Sequence, residues 1–350
     1  MAKNSQLSLC GKRNGKKHKR ISYARYGYRF LLPFALVFLV FQFIPLITTF
    51  IYGFCNYYED GLNTVGPSFA GFDRFKVILG PDSNFWKYRG NTRIIWIIGF
   101  LPQVICSLLL ALFFTSERLK LKGKRFFQTV TYRPNLVMAS AFGYMFLQFF
   151  SQGGPVNQIL QAMKIVSTPV IFRESAAWQR VIIALINFLM WFGNTSILLR
   201  SGIMGIDESL FESARLDGAS SFRIFWKITL PLLRPIFVYF LITSMIGGIQ
   251  LFDAAQIFTS GTGGVQAKSR TIRMYLFNLV QQKHNYGEAG AVSIRLFVIT
   301  GLLSLIVFKF RVPHQNSEKR EKRSKNKRLR FEAKAEKEKR KREERKGVSR

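Results

Sequence analysis

Glu212-Ser213-Ala214-Arg215-Leu216-Asp217-Gly218-Ala219, followed after eight residues by Ile228-Thr229-Leu230-Pro231, forms a charged island between two long hydrophobic segments. The spacing predicts a short helix from Glu208 to Leu216 that sets Leu210, Ser213, Ala214 and Asp217 near one face. Gly218 then permits a sharp reversal, because a residue without a Cβ enters the left-handed region at no steric cost. A second short helix is expected from Ser220, with the serine as its cap and its end before Pro231. Two short helices joined at a glycine make a compact knob, and small side chains let another backbone approach it. On residue types alone the island reads equally well as a docking knob or as an ordinary polar connection.

The rest of the chain places this island in a bilayer. Hydrophobic residues make up 48% of the 350 and aromatics 15%, yet the formal net charge is +33. These values conflict for a soluble globule and agree for a membrane protein with basic ends. A helix crossing the hydrocarbon core needs about 20 mostly apolar residues. Six segments qualify: 30–54, 91–115, 130–150, 178–199, 236–258 and 289–309. Only helices and closed barrels satisfy every backbone group in hydrocarbon, and runs this long exclude barrel strands. The expected fold class is an all-α integral membrane protein, with a six-helix domain over 30–310 between basic tails at 1–29 and 311–350. The first apolar run is longer than a signal-peptide core and no small-residue cleavage site follows it, so it is expected to stay in the membrane.

Lys and Arg set the orientation. Residues 1–29 carry many basic and no acidic side chains, residues 117–125 contain Arg118, Lys120, Lys122, Lys124 and Arg125, and 311–350 is densely basic. The positive-inside rule places these segments in the cytoplasm, with both termini. An even span count then puts the island on the same side. Its own basic excess is small, because Asp207, Glu208, Glu212 and Asp217 offset its Arg and Lys. The outer segments, 55–90, 151–177 and 259–288, contain the turn signals Gly153-Gly154-Pro155 and Gly261-Thr262-Gly263-Gly264.

Several function classes lack the residues they need. Cys10, Cys55 and Cys106 form no disulfide framework or metal spacing, and are expected as free thiols. His18, His284 and His314 have no partnering Cys or carboxylate at metal spacing. A membrane enzyme would need clustered His, Asp, Glu or Cys within the spans. An ion-coupled carrier would need repeated halves and intramembrane ionisable groups, of which there are only Asp253 and Arg295. Asp253 reads best as an outer-rim residue, while Arg295 either lines a cavity or snorkels. The tail beyond Pro313 is a solvated, topology-fixing segment or one drawn to anionic lipid; pairs such as Glu336 with Arg340 would support a frayed helix. It has no aromatic platform for specific nucleic-acid binding.

The island resembles the EAA loop of the membrane subunits of ATP-binding-cassette (ABC) importers, with Gly218 and Ile228 at the family's separation and Ser213 in place of the usual middle alanine. From about Leu32 to Phe310 the chain is similar to the carbohydrate permeases of the maltose-transporter type. The strings that carry this are Gly71-Phe72-Asp73, Phe85-Trp86, Asn91-Thr92, Gly154-Pro155-Val156-Asn157, Trp191-Phe192-Gly193, Phe252-Asp253, Thr259 to Gly264, and Tyr286-Gly287-Glu288-Ala289-Gly290-Ala291. Val265 departs from the family, which often has proline there.

The resemblance implies a type I importer permease fold in a prokaryotic cell membrane. A second, similar permease, two ATPase subunits and an external solute-binding protein would be its partners. ATP and Mg would be bound by the ATPases and no cofactor by this chain, which has no G-x-x-x-x-G-K-[ST] phosphate loop. The ATPase-coupling residues implied are Glu212, Ser213, Ala214, Asp217, Gly218, Ile228, Leu230 and Pro231, with Arg215 at the rim. The substrate pathway implied by matched positions is Asn135 and Ala139; Phe192, Gly193 and Ser196; and Ser244, Gly248 and Leu251. Read from residue type alone, polar Asn135, Asn187, Asn194, Ser244, Gln250 and Asp253 are candidates to handle a hydrophilic solute, and Trp191, Phe192 and Tyr239 to stack on a sugar ring.

Overall fold

The computed structural model describes residues 24–80, 83–116 and 123–309, together with Asn326. Cys10, most of both basic tails, and Arg118, Lys120 and Lys122 of the inner loop lie outside the described residues. The chain divides into two units, one ending at Phe50 and the other beginning at Ile51. In the amino-terminal helix, α1 (Ala24–Phe38) runs into α2 (Ile44–Gly53) through a π-turn at Leu39–Phe43. Pro45, which lacks an N–H, follows that wide turn, a usual place for such an interruption.

Beyond it, β1 (Cys55–Asp60) and β2 (Asn63–Phe69) form an antiparallel hairpin that turns at Gly61, φ +62°. The spacing of hydrophobic runs gave no sign of this hairpin, although its Tyr, Thr and Val suit strands and Gly61 suits the turn. Next come α3 (Asp73–Leu79), α4 (Asn84–Thr115), α5 (Lys124–Tyr132), α6 (Ala139–Phe149) and α7 (Pro155–Ala162). The remainder is α8 (Ala176–Met204), α9 (Glu208–Leu216), α10 (Ser221–Ile224), α11 (Leu230–Ile249), α12 (Asp253–Phe258), α13 (Ile272–Gln281) and α14 (Tyr286–Lys309).

Among the described residues, five helices are long and apolar enough to cross a bilayer: Tyr26–Gly53, Asn84–Thr115, Ala176–Met204, Ser221–Phe258 and Tyr286–Lys309. The segment expected as a third continuous span, 130–150, is instead broken. A 3₁₀ turn at Arg133–Leu136 follows α5, and Val137 and Met138 are extended before α6 begins. Pro134 explains the break, since it removes a helical donor in mid-segment. The fifth expected span also differs. Its helix begins at Ser221 and is interrupted at Gln250–Phe252, where Leu251 is buried and its carbonyl accepts from Thr271 Oγ1 at 2.8 Å. The second helix of the island does not end before Pro231. It passes through a π-turn at Phe225–Thr229 into α11, with Pro231 near the start of α11, where a missing N–H is tolerated. The continuous stretch from Ser221 to Ile249 is about 44 Å long, beyond the roughly 30 Å hydrocarbon thickness. It is longer than a perpendicular crossing requires.

The centre of the second unit is α8, on which Ile182, Ile183, Ile186 and Met190 pack with Ile95, Phe146, Ala255 and Phe258. Lipid is as apolar as these side chains, so close backbone approach and interhelical hydrogen bonds hold the helices together. A Cβ at Gly99 would lie 2.9 Å from Ala184 O, and one at Gly193 would collide with the carbonyl of Thr131. Three polar links reinforce the contact: Gln103 Nε2 donates to Thr195 Oγ1 at 2.8 Å, Ser107 Oγ to Phe192 O at 2.7 Å, and Asn135 Nδ2 to Met190 O at 3.1 Å.

Arg295 is half-buried and is not among the residues lining the cavity described below. Its guanidinium lies 3.8 Å from the Phe85 ring centroid and 4.3 Å from that of Trp86, and donates to Ile78 O. Outside the spans, Tyr275 donates to Glu288, and burial, with that carboxylate, pushes its phenol far above the ordinary range. His284, expected to have no carboxylate at metal spacing in the sequence, has Nδ1 3.5 Å from Glu59 Oε2 of β1.

Gly99→Leu is expected to destabilise the protein by about 1–3 kcal/mol through overpacking of α4 against α8. Gly301→Leu, where no atom lies within 4 Å of an added Cβ, is expected to leave stability unchanged. Thermal unfolding in detergent distinguishes them, and equal midpoints would contradict the close crossing.

Candidate functional site

A cavity of about 480 Å³ lies among α4, α8 and α11. From α8 it is lined by Asn187, Trp191, Asn194, Leu198 and Ser201, which recur at intervals of four, three, four and three and so form a stripe along one helical face. From α11 it takes Tyr239, Phe240, Thr243, Ser244, Gly247 and Gly248, and from α4 it takes Gln103. The lining side chains are amides, hydroxyls, aromatics and aliphatics. None is charged.

The sequence-derived candidates divide around this cavity. Asn187, Trp191, Asn194, Tyr239, Ser244 and Gly248 line it together. Asn135, Ala139, Phe192, Gly193, Ser196 and Leu251 do not: Asn135 ties to α8, Ala139 and Leu251 join the apolar core, Phe192 stacks on Phe188, and Gly193 and Ser196 are buried in helix packing. Gln250 is exposed at the end of α11. Asp253 is exposed in the first turn of α12, where a carboxylate suits the helix dipole. Sequence reading missed Gln103, Thr195, Thr243 and Ser201. The three-and-four spacing from Asn187 would have reached Ser201, whereas Gln103 and Thr243 become legible only through helix packing.

The island folds as a knob of two short helices. Asp207 caps α9, accepting from Ser209 N at 3.0 Å, and the hydrogen bonds from Ser209 hold its carboxyl below the ordinary range. The carboxyl end of α9 closes through Ala219 N to Ala214 O at 2.9 Å and Gly218 N to Arg215 O at 3.0 Å, with Gly218 at φ +76°. This is the left-handed closure a glycine favours. Ser220 caps α10, its Oγ accepting from Arg223 N. Glu212, Ser213, Asp217 and Gly218 are exposed and Ala214 is half-buried; at the start of the following helix Ile228 and Leu230 are half-buried and Pro231 exposed. Large apolar side chains stand on the same knob, with Leu216 89%, Phe222 74% and Trp226 52% exposed. Apolar groups exposed together on a polar element mark a surface that another protein covers.

Residues 259–271 are fastened to α4 and α8. Asn91 Nδ2 donates to Ala267 O and Arg270 O, Arg180 donates to Lys268 O and to Asn91 Oδ1, and Ser269 Oγ donates to Gln179 Oε1. Thr92 Oγ1 accepts from Ile272 N at 2.9 Å. The Asn91-Thr92 pair thereby holds the outer loop down over the spans.

The family model described as "Binding-protein-dependent transport system inner membrane component" matches residues 83–313. The chain is 29% identical over 283 residues to the lactose transport system permease protein LacF of Rhizobium radiobacter, covering 81% of this chain and 92% of that one. It is 28% identical over 286 residues to the multiple sugar-binding transport system permease protein MsmF of Streptococcus mutans, covering 81% and 94%. With the trehalose/maltose transport system permease protein MalF of Thermococcus litoralis it shares 27% over 289 residues, covering 82% and 93%. The fold matches a chain of a bacterial ABC transporter involved in the import of the acidic polysaccharide alginate, with a TM-score of 0.67 at 24% identity, over 83% of this chain and 98% of that chain.

Asn91→Ala removes two donors from the loop carbonyls and the acceptor of Arg180, all in a buried setting. It is expected to cost about 1–3 kcal/mol and to raise amide exchange in 259–271 before the spans are affected. Exchange confined to other segments would show that Asn91 does not hold the loop.

Proposed function

The chain belongs to the family of inner-membrane components of binding-protein-dependent transport systems, a multi-pass protein of a prokaryotic cell membrane, and on that footing we propose that it is the permease that passes a sugar or oligosaccharide across that membrane. The observation that carries the solute class is the cavity. Amides and hydroxyls at Gln103, Asn187, Asn194 and Ser244 can exchange hydrogen bonds with sugar hydroxyls, while Trp191 and Tyr239 offer faces for the C–H side of a ring. The names of the relatives support the same reading.

In this proposal the broken segment from α5 to α6 is the sixth crossing, both termini are cytoplasmic, and a second permease completes the pathway. Two ATPase subunits grip this chain and its partner at their knobs, and an external solute-binding protein delivers the sugar. Glu212, Ser213, Ala214, Asp217 and Gly218 form the gripped surface; Ile228, Leu230 and Pro231 join it to the span. Because α10, the π-turn and α11 are continuous, a push on the knob displaces the helix that carries Tyr239, Ser244 and Gly248. Packed elements move as bodies rather than deforming gradually, so the cavity wall moves with the knob.

Glu212→Ala removes an exposed carboxylate from the gripped surface. Gly218→Pro forbids the φ +76° closure. In the reconstituted complex each is expected to lower ATP-driven uptake of labelled sugar on the order of tenfold, the scale of a coupling energy near 1.4 kcal/mol, with membrane insertion unchanged. Normal uptake in both would remove the knob from the coupling path. Purification under mild detergent is expected to bring down a second permease and an ATPase, whereas uptake driven by an ion gradient and insensitive to ATP would overturn the importer reading.

A further inference from the structure

Trp86, Arg89 and Arg93 recur on α4 at intervals of three and four and therefore share one face. Arg295 of α14 reaches the same indole, so that the guanidinium carbons of Arg89 and Arg295 lie 5.1 Å and 4.3 Å from a Trp86 ring centroid. The indole is 40% exposed, and its Nε1 donates to Leu79 O at 3.4 Å. Two cations on one aromatic side chain repel each other, and a carboxylate beside them would offset the cost. None is there. Among the described residues Arg89, Arg93 and Arg295 form no ion pair, Arg295 donates only to Ile78 O, and Arg89 and Arg93 have no hydrogen-bond acceptor.

Beyond Arg93 the exposed surface of α4 turns apolar. Ile97, Leu101, Ile105 and Leu109 follow at intervals of four, each between 41% and 58% exposed, as a ridge that winds slowly round the helix. From residue 97 to residue 109 the ridge is about 18 Å long, close to one leaflet's share of the roughly 30 Å hydrocarbon core. Val77 and Leu79, on either side of the carbonyl that Arg295 holds, are exposed as well. Cations at one end of an apolar ridge of this length complement a molecule with an anionic head and an acyl chain. The guanidinium fork matches phosphate oxygens in pairs. A soluble anion would use only the head of this arrangement. A closely packed helix from another protein would favour small residues on the ridge, which has none.

We propose that Arg89, Arg93 and Arg295 form the headgroup site of an anionic phospholipid whose acyl chain lies along the ridge at 97–109. The lipid phosphate accepts hydrogen bonds from the arginines beside Trp86, an indole of the kind that gathers where hydrocarbon meets headgroups. The surplus negative charge of the lipid offsets cations that the protein leaves unpaired, and a phosphate shared by Arg89 and Arg295 ties α4 to α14. The inference is independent of the solute carried and of the leaflet in which the site lies.

The test is photocrosslinking. The full chain, extracted in mild detergent with whatever accompanies it, is placed in phosphatidylethanolamine vesicles holding a minor, sub-saturating fraction of phosphatidylglycerol that carries a diazirine in its acyl chain, and adducts are mapped by peptide mass spectrometry. Adducts are expected on residues 97–109, with severalfold fewer from a phosphatidylethanolamine probe bearing the same chain. Arg93→Gln is expected to lower the yield there about fivefold, and Arg89→Gln with Arg93→Gln on the order of twentyfold, the scale for basic residues beside an anionic lipid surface. Arg125→Gln, an exposed site on α5, is expected to leave it unchanged, and adducts on the other spans serve as the internal reference. Unlabelled phosphatidylglycerol is expected to compete, and its deacylated headgroup, glycerophosphoglycerol, is not; competition by the headgroup would overturn the lipid in favour of a soluble anion. Equal yields from the two probes, or an unchanged yield in the double variant, overturns the site. A parent without adducts on 97–109, whose double variant loses a co-purifying membrane protein, would give the face to that protein instead. Arg93 is exposed and without a partner among the described residues, so Arg93→Gln decides if the double variant does not fold.

Discussion

The α4–α8 contact is the constraint on which the other arrangements depend. Lipid cannot supply a hydrophobic drive between two apolar helices, so their association needs close backbone approach and polar links. Gly99 against Ala184 supplies the first; Gln103 with Thr195 and Ser107 with the Phe192 carbonyl supply the second. Each interhelical hydrogen bond contributes only about 0.6 kcal/mol in such a setting, so the links act chiefly by fixing register. That register sets Asn187, Trp191 and Asn194 facing α11 across open space rather than across packed side chains.

The cavity and the knob are connected by a single long helix. Ser221–Ile249 begins at the island, and further along it carries a wall of the cavity. The two π-turns among the described residues lie beside Pro45 and Pro231, where a missing donor makes a wide turn the low-cost solution. At Phe225–Thr229 this solution keeps the helix continuous from the island into α11.

Much of this was readable from residue order, for identifiable reasons. The knob followed from local chemistry, because Asp207, Gly218 and Ser220 act on backbone groups within a few residues of themselves. Span positions followed from hydrophobic length. The third span misled because 130–150 is apolar enough to cross, and composition does not register what Pro134 does to donor geometry. The fifth was started too late because Phe225 to Thr229 carry Lys227 and look like loop. Cavity lining was the least legible feature. Gln103 and Gly248 matter through partners on other helices, at sequence separations that no periodicity encodes, and Asn135 is spent on a carbonyl of α8.

The fastening of residues 259–271 has a further consequence. Amides, guanidiniums and hydroxyls donate to backbone carbonyls or to other uncharged acceptors, and no carboxylate takes part in the links from Asn91, Arg180, Gln179 and Thr92. Ion pairs between exposed charges weaken as salt rises and vanish when carboxylates protonate. A loop held through neutral oxygen atoms escapes both effects. The anchorage of 259–271 thus does not depend on the ionisation of any carboxylate.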